Sequence, residues 1–166
     1  VRRLQDLGAE VRVIITSGGR EFVSELSLQT VSKNKVHDNL WDKEAELAMG
    51  HIELAKWADV VIIAPASANT IARLCHGKAD DLLSTVILAT SASILIAPSM
   101  NQQMFASKAI KENLKILTNR GVLTIDPGFG EQACGDVGEG RLAEPEEIAR
   151  QVATIFANST LSGKKV

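Results

Sequence analysis

The chain has 166 residues, 45% of them apolar and 23% charged, with a formal net charge of −2. That length supports one domain with a true core. The near-neutral charge argues against a dedicated nucleic-acid binder, and no apolar run approaches the ~20 residues that span a bilayer. Two distant cysteines, Cys75 and Cys134, make no disulfide framework and point to a reducing, cytoplasmic setting.

The chain opens without Met on Val1-Arg2-Arg3-Leu4, which has the pattern of a helix interior. It closes on Ser162 to Val166, which has the pattern of entry into a new strand, so a piece of a longer protein is expected. Four short Val/Ile-rich runs follow one another: Val11 to Thr16, Val60 to Pro65, Ile94 to Pro98 and Val122 to Pro127. Continuous apolar runs of this length fit strands buried on both faces of a parallel sheet. Helices are expected over Arg20 to Ser32, His51 to Ala58, Ala68 to His76, Asp80 to Ala89 and Ser107 to Arg120. A last helix is expected over Pro145 to Ala157, with Glu144 to Glu147 as its start signal. The polar stretch Lys33 to Glu46 has the composition of a loop. Strand and helix in alternation predict a three-layer, Rossmann-like (flavodoxin-like) open parallel sheet with right-handed crossovers.

Pro65, Pro98 and Pro127 end three of the apolar runs, and a polar or glycine-rich segment follows each. Ligands bind beyond the carboxyl ends of the strands in such sheets. Thr16 to Gly19, Ser67 to Thr70, Ser99 to Asn101 and Gly128 to Arg141 are therefore expected along one edge. The first two offer hydroxyls and free backbone N–H groups at helix starts, which suits a phosphate. Ser67 and Asn69 as plain helix caps are an equally weighted reading. The segment 128–141 holds five of the chain's twelve glycines and has the composition of a flap over the edge.

Cys134 in that flap is placed for chemistry, or is a surface thiol with no role; Cys75, on an apolar helical run, belongs to the core. His51 opens an amphipathic segment, where a structural role is the commoner one, and Trp57 is most simply a packing aromatic. Met100 and Met104 flank Asn101 and either face a flat cofactor or fill core. His51, His76, Cys75 and Cys134 have no zinc-type spacing, so no metal is expected, and neither a G-x-G-x-x-G nor a Walker A pattern is present.

Four motifs carry a resemblance. His51 to Asp59, Ala64 to Thr70, Pro98 to Met104 (a Pro-x-Met-Asn-x-x-Met pattern) and Ala133 to Arg141 resemble, in order, four segments of the flavin-dependent cysteine decarboxylases. These are their histidine segment, flavin-contacting turn, asparagine motif and catalytic cysteine flap. The resemblance spans about Val11 to Phe156. Within the family it is strongest to the bacterial decarboxylases of 4′-phospho-N-pantothenoylcysteine, and Leu161 to Val166 is similar to the first strand of the ligase domain fused to them.

The resemblance implies FMN as cofactor and 4′-phosphopantetheine as product. It implies an oxidative decarboxylation followed by a reduction, so that the flavin ends as it began. His51 then serves the oxidative half, Asn101 binds the substrate carboxylate, and Cys134 donates the proton of the second half. Thr16, Ser67, Ala68, Asn69, Thr70 and Ser99 are implied at the cofactor, and Met104, Gly135 and Arg141 beside Asn101 at the substrate. A decarboxylase domain over 1–158, a linker and ligase start over 159–166, and a homotrimer or larger assembly are also implied. The family begins with a strand and a Gly-Gly-Ile-Ala-Ala-Tyr-Lys-type turn, so the resemblance implies a chain truncated at its N-terminal side. Ser99, Phe105 and Leu142 replace the family's usual residues with ones of similar size or shape.

Other readings share this fold. A decarboxylase of C-terminal peptidyl cysteine is disfavoured by the ligase-like tail, and a flavin prenyltransferase by the asparagine motif and cysteine flap. A non-catalytic, flavin-binding regulatory protein need not keep all of His51, Asn101 and Cys134, which are present here.

Overall fold

A computed structural model of the chain describes residues 1–41, 50–156 and 165–166. It separates into two compact units. The first holds Val1–Val60, Ala79–Ala92 and Phe156–Val166, and the second Val61–Lys78 and Ser93–Ile155. The expected α/β class with parallel strands is borne out.

In the first unit, α1 (Arg2–Asp6) leads to β1 (Val13–Ile14), which pairs in parallel with β2 (Val36–His37). β2 lies inside the stretch expected to be a loop, and the rest of that stretch from residue 42 onward lies outside the described residues. Val36 is 1% exposed, so one apolar residue anchors a strand too short to show a period. The helix expected over Arg20 to Ser32 is broken into α2 (Ser17–Arg20) and α3 (Glu25–Ser32). The break has a local cause: the Ser24 hydroxyl accepts from the Ser27 N–H at 3.1 Å, an N-cap that starts a new helix. At its other end α3 stops at Lys33 in a left-handed conformation.

Further along this unit, α4 (Gly50–Trp57) packs against α6 (Leu82–Ala89). Leu54 and Ala55 meet Leu82 and Val86 there, with Ile14 and Leu40 against them. A capping box starts α6: the Asp81 carboxylate accepts from the Ser84 N–H at 2.7 Å, and the Ser84 hydroxyl reaches back to the Asp81 N–H. Trp57 does more than pack, because the Arg12 guanidinium stands 4.5 Å from its ring centroid. At the chain's end, the Arg12 N–H donates to the Val166 carbonyl at 2.9 Å and the Val166 N–H to the Glu10 carbonyl at 2.8 Å. The expected domain boundary at 158/159 lies outside the described residues.

The second unit is built on a three-stranded sheet in the order β3 (Val60–Ala66), β4 (Ser93–Pro98), β5 (Leu123–Thr124). β4 and β5 pair in parallel, Leu95 with Leu123 and Ile96 with Thr124. Leu95 to Pro98 are all buried, as expected of a strand covered on both faces. After β3 comes α5 (Ala68–Cys75), and α8 (Lys108–Asn119) packs against it. Between β4 and α8 lies the short α7 (Gln102–Ala106). The segment 128–141 is an antiparallel hairpin, β6 (Gly128–Glu131) and β7 (Val137–Arg141), and α9 (Pro145–Ile155) follows.

Asp81→Ala is expected to lower stability by about 1 kcal/mol, while Asp81→Asn, which still caps, keeps most of it. Urea unfolding of the two variants checks this, and equal losses would show that the cap is not the source.

Candidate active site

Everything at the end of β4 is organised by one turn. The Asn101 side chain caps α7, its Oδ1 accepting from the Gln103 N–H at 2.8 Å. That bond fixes which way the amide faces, because the oxygen must point into the helix. The Nδ2 group is then turned toward the hairpin. It lies 3.3 Å from Asp136 Oδ2, 3.4 Å from Gln132 Oε1 and 3.5 Å from Cys134 Sγ. Two amide hydrogens thus face three acceptors, and Cys134 and Asp136 are exposed.

The hairpin stands where it does because its glycines let backbone meet backbone. The Met100 N–H donates to the Gly140 carbonyl at 2.9 Å. A Cβ on Gly140 would run into the Met100 carbonyl oxygen, and its φ of +139° disfavours any side chain. A Cβ on Gly138 would lie 2.9 Å from Gln102 Cβ. Both glycines are buried. The glycine-rich composition expected of a loose flap therefore serves close approach at these positions. At the hairpin's turn, the Gly135 N–H donates to the Gln132 carbonyl at 2.8 Å, with Gly135 at φ +87°. That turn carries Cys134.

The other expected site residues fall as follows. The Ser67 hydroxyl, at the end of β3, accepts from the Thr70 N–H at 3.2 Å and lies 3.0 Å from the Thr70 hydroxyl. Capping is thus real at Ser67. By helix geometry the N–H groups of Ala68 and Asn69, in the first turn of α5, have no partner within the helix, so the turn still presents donors. Asn69 is exposed and Ala68 half-buried. In Ser99 the backbone N–H is committed to the Ala66 carbonyl at 3.1 Å, which ties the ends of β3 and β4 together. Met104 is 48% exposed on α7 and not core filling, and Arg141 is exposed on β7. Thr16 and His51 belong to the first unit. The Thr16 hydroxyl caps α2 by accepting from the Gly19 N–H at 3.1 Å, and His51 is half-buried on α4. Cys75 is buried in α5, as expected.

Sequence reasoning missed Gln132. Its side chain accepts from the Gln102 N–H at 3.0 Å and donates to the Met100 carbonyl at 3.2 Å. A glutamine carries no motif of its own, and only its position two residues before Cys134 marked it.

The flavoprotein family model matches residues 1–157, and the chain belongs to the flavoprotein family. The coenzyme A biosynthesis bifunctional protein CoaBC of Vibrio cholerae is 53% identical over 99% of this chain and 41% of its own length. The present chain thus spans about two fifths of the curated relatives it matches. Among solved structures, a mutant PPC decarboxylase complexed with pantothenoylaminoethenethiol is 33% identical over 90% of this chain and 85% of its own, with a TM-score of 0.78. The FMN binding protein AtHal3 is 34% identical over 91% of this chain and 84% of its own, with a TM-score of 0.75. The resemblance to the flavin-dependent cysteine decarboxylases is borne out by these matches, as is the flavodoxin-like fold.

Gly140→Ala is expected to cost about 1–3 kcal/mol, since the hairpin must lift off the Met100 carbonyl. Gly18→Ala, in open space with an ordinary φ, changes stability little. Denaturant midpoints of the two variants check the contrast.

Proposed function

We propose that this chain carries out the FMN-dependent decarboxylation of 4′-phospho-N-pantothenoylcysteine to 4′-phosphopantetheine. The observation that supports it most is the Asn101 amide standing 3.5 Å from the Cys134 thiol, 33 positions further along the sequence, in a chain of this family. The bifunctional coenzyme A biosynthesis relatives, of which this chain matches 41% of the length, support a place in coenzyme A synthesis and, with the ligase-like tail, a ligase domain in the parent protein; the chain works in the cytoplasm. The family resemblance implies a trimer or a larger assembly, and Phe22 and Leu26, 93% and 73% exposed, offer apolar surface for association of copies.

The donor groups fit the cofactor. The Ser67 and Thr70 hydroxyls and the first N–H groups of α5 make a compact set of hydrogen-bonding groups at the end of β3, with Ser99 at the end of the neighbouring strand. These are the residues that would hold FMN. Bound FMN supplies the two-electron oxidation that turns the substrate's carbon–sulfur bond into the electron sink for loss of CO2, and the reduction that closes the cycle.

The chain's own residues do the rest. Asn101 Nδ2 donates to the substrate carboxylate, whose oxygens replace the acceptors it faces here. A neutral amide orients that group without stabilising its charge so strongly that CO2 will not leave. Met104, Gly135 and Arg141 line the same substrate. His51 serves the oxidative half. Cys134 keeps its proton on Sγ until the decarboxylated carbon needs it, and gives it there. The hairpin keeps water from the reactive intermediate.

Two outcomes check this assignment. Cys134→Ser releases CO2 but turns over to the reduced product at least about a hundredfold more slowly, with an oxidised product accumulating. Normal full turnover would remove Cys134 from the proton-donor role. Asn101→Asp retains the cap on α7 but sets a carboxylate against the substrate's, so substrate affinity falls at least about tenfold. Unchanged affinity in equilibrium dialysis would take the carboxylate away from Asn101.

A further inference from the structure

We infer that Gln132 is the positioning residue of this site: it aims the Asn101 amide and fastens the Cys134 turn beside it. The inference rests on the decarboxylase reading above. Its basis is a side-chain amide used as if it were a stretch of backbone. Gln132 Oε1 accepts from the Gln102 N–H at 3.0 Å, and Gln132 Nε2 donates to the Met100 carbonyl at 3.2 Å. Those two backbone groups flank Asn101, one on each side. Holding both fixes the peptide planes from which the Asn101 side chain projects. The same Oε1 lies 3.4 Å from Asn101 Nδ2, so it limits the amide's rotation as well.

The backbone of Gln132 does a second job. Its N–H donates to the Asp136 carbonyl at 2.7 Å, and its carbonyl accepts from the Gly135 N–H at 2.8 Å. These bonds close the turn that carries Cys134. One residue therefore grips the asparagine segment with its side chain and the cysteine turn with its backbone. The direct Asn101–Cys134 contact, at 3.5 Å to a sulfur, is too weak a hydrogen bond to set that distance alone. The grip needs a donor and an acceptor on one uncharged side chain of glutamine's length. Glutamate keeps the acceptor but loses the donor, and brings charge against the Met100 carbonyl.

The test compares FMN-loaded protein with Gln132→Ala and Gln132→Glu in two assays. The first is the rate at which iodoacetamide alkylates Cys134, read by peptide mass spectrometry, with buried Cys75 as the internal control for folding. The second is turnover of phosphopantothenoylcysteine, resolved into CO2 release and formation of reduced product. Gln132→Ala is expected to raise Cys134 alkylation about tenfold with Cys75 still protected. It is also expected to raise KM and to divert a fraction of turnovers to the oxidised, decarboxylated product. Gln132→Glu, of nearly the same volume, shows the same three effects, and it carries the test if Cys75 becomes reactive in the alanine variant. Wild-type alkylation, or a wild-type product ratio in the folded variants, overturns the inference. Failure of the unsubstituted protein to decarboxylate the substrate overturns the decarboxylase reading instead, and the alkylation rates then still decide whether Gln132 fastens the hairpin.

Discussion

The meeting of the β6–β7 hairpin with the end of β4 is the contact on which the rest of the site depends. It brings an amide and a thiol from distant parts of the chain within 3.5 Å of each other. The approach is possible because Gly138 and Gly140 have no side chain where Gln102 and the Met100 carbonyl lie. It is held by the hydrogen bond from the Met100 N–H to the Gly140 carbonyl and by the two bonds of the Gln132 amide. A methyl group at Gly140 would push the hairpin away from the asparagine segment. The geometry of the site thus rests on the absence of two Cβ atoms.

The sheet supplies the other half of that geometry. The buried run Leu95 to Pro98 fixes β4, and Ser99 ties its end to Ala66 at the end of β3. The chain then turns at once into α7, and the Asn101 side chain is used to start that helix. Capping does not compete with function here. By consuming Oδ1 it leaves only Nδ2 to face a ligand, which makes Asn101 a donor and not an acceptor. Ser67 repeats the pattern at the end of β3, where a hydroxyl caps α5 and the helix's first N–H groups still point outward.

Much of this was legible in the residues. Val60 to Pro65 and Ile94 to Pro98 are apolar without a break because both faces of those strands are covered, and the structure puts β3 and β4 there. The convergence of Asn101 and the 128–141 segment followed from strand polarity alone. Other features had no periodic signal to give. Val36–His37 is a strand only because β1 pairs with it. Ser24 breaks an amphipathic run as a cap, yet serine in a helix looks the same in sequence. Glycine is ambiguous in a deeper way, since a missing side chain gives both freedom and closeness. Composition suggested the first for 128–141, and the packed positions Gly138 and Gly140 use the second. Gln132 was invisible because its role is set by which backbone groups the fold brings to it.

The most direct measurement is the product formed when the FMN-loaded protein is incubated with 4′-phospho-N-pantothenoylcysteine without any external oxidant or reductant. The account predicts 4′-phosphopantetheine: loss of one CO2, no net change in oxidation, and flavin absorbance restored at the end of each turnover. Substrate recovered intact from protein that retains its flavin would contradict it.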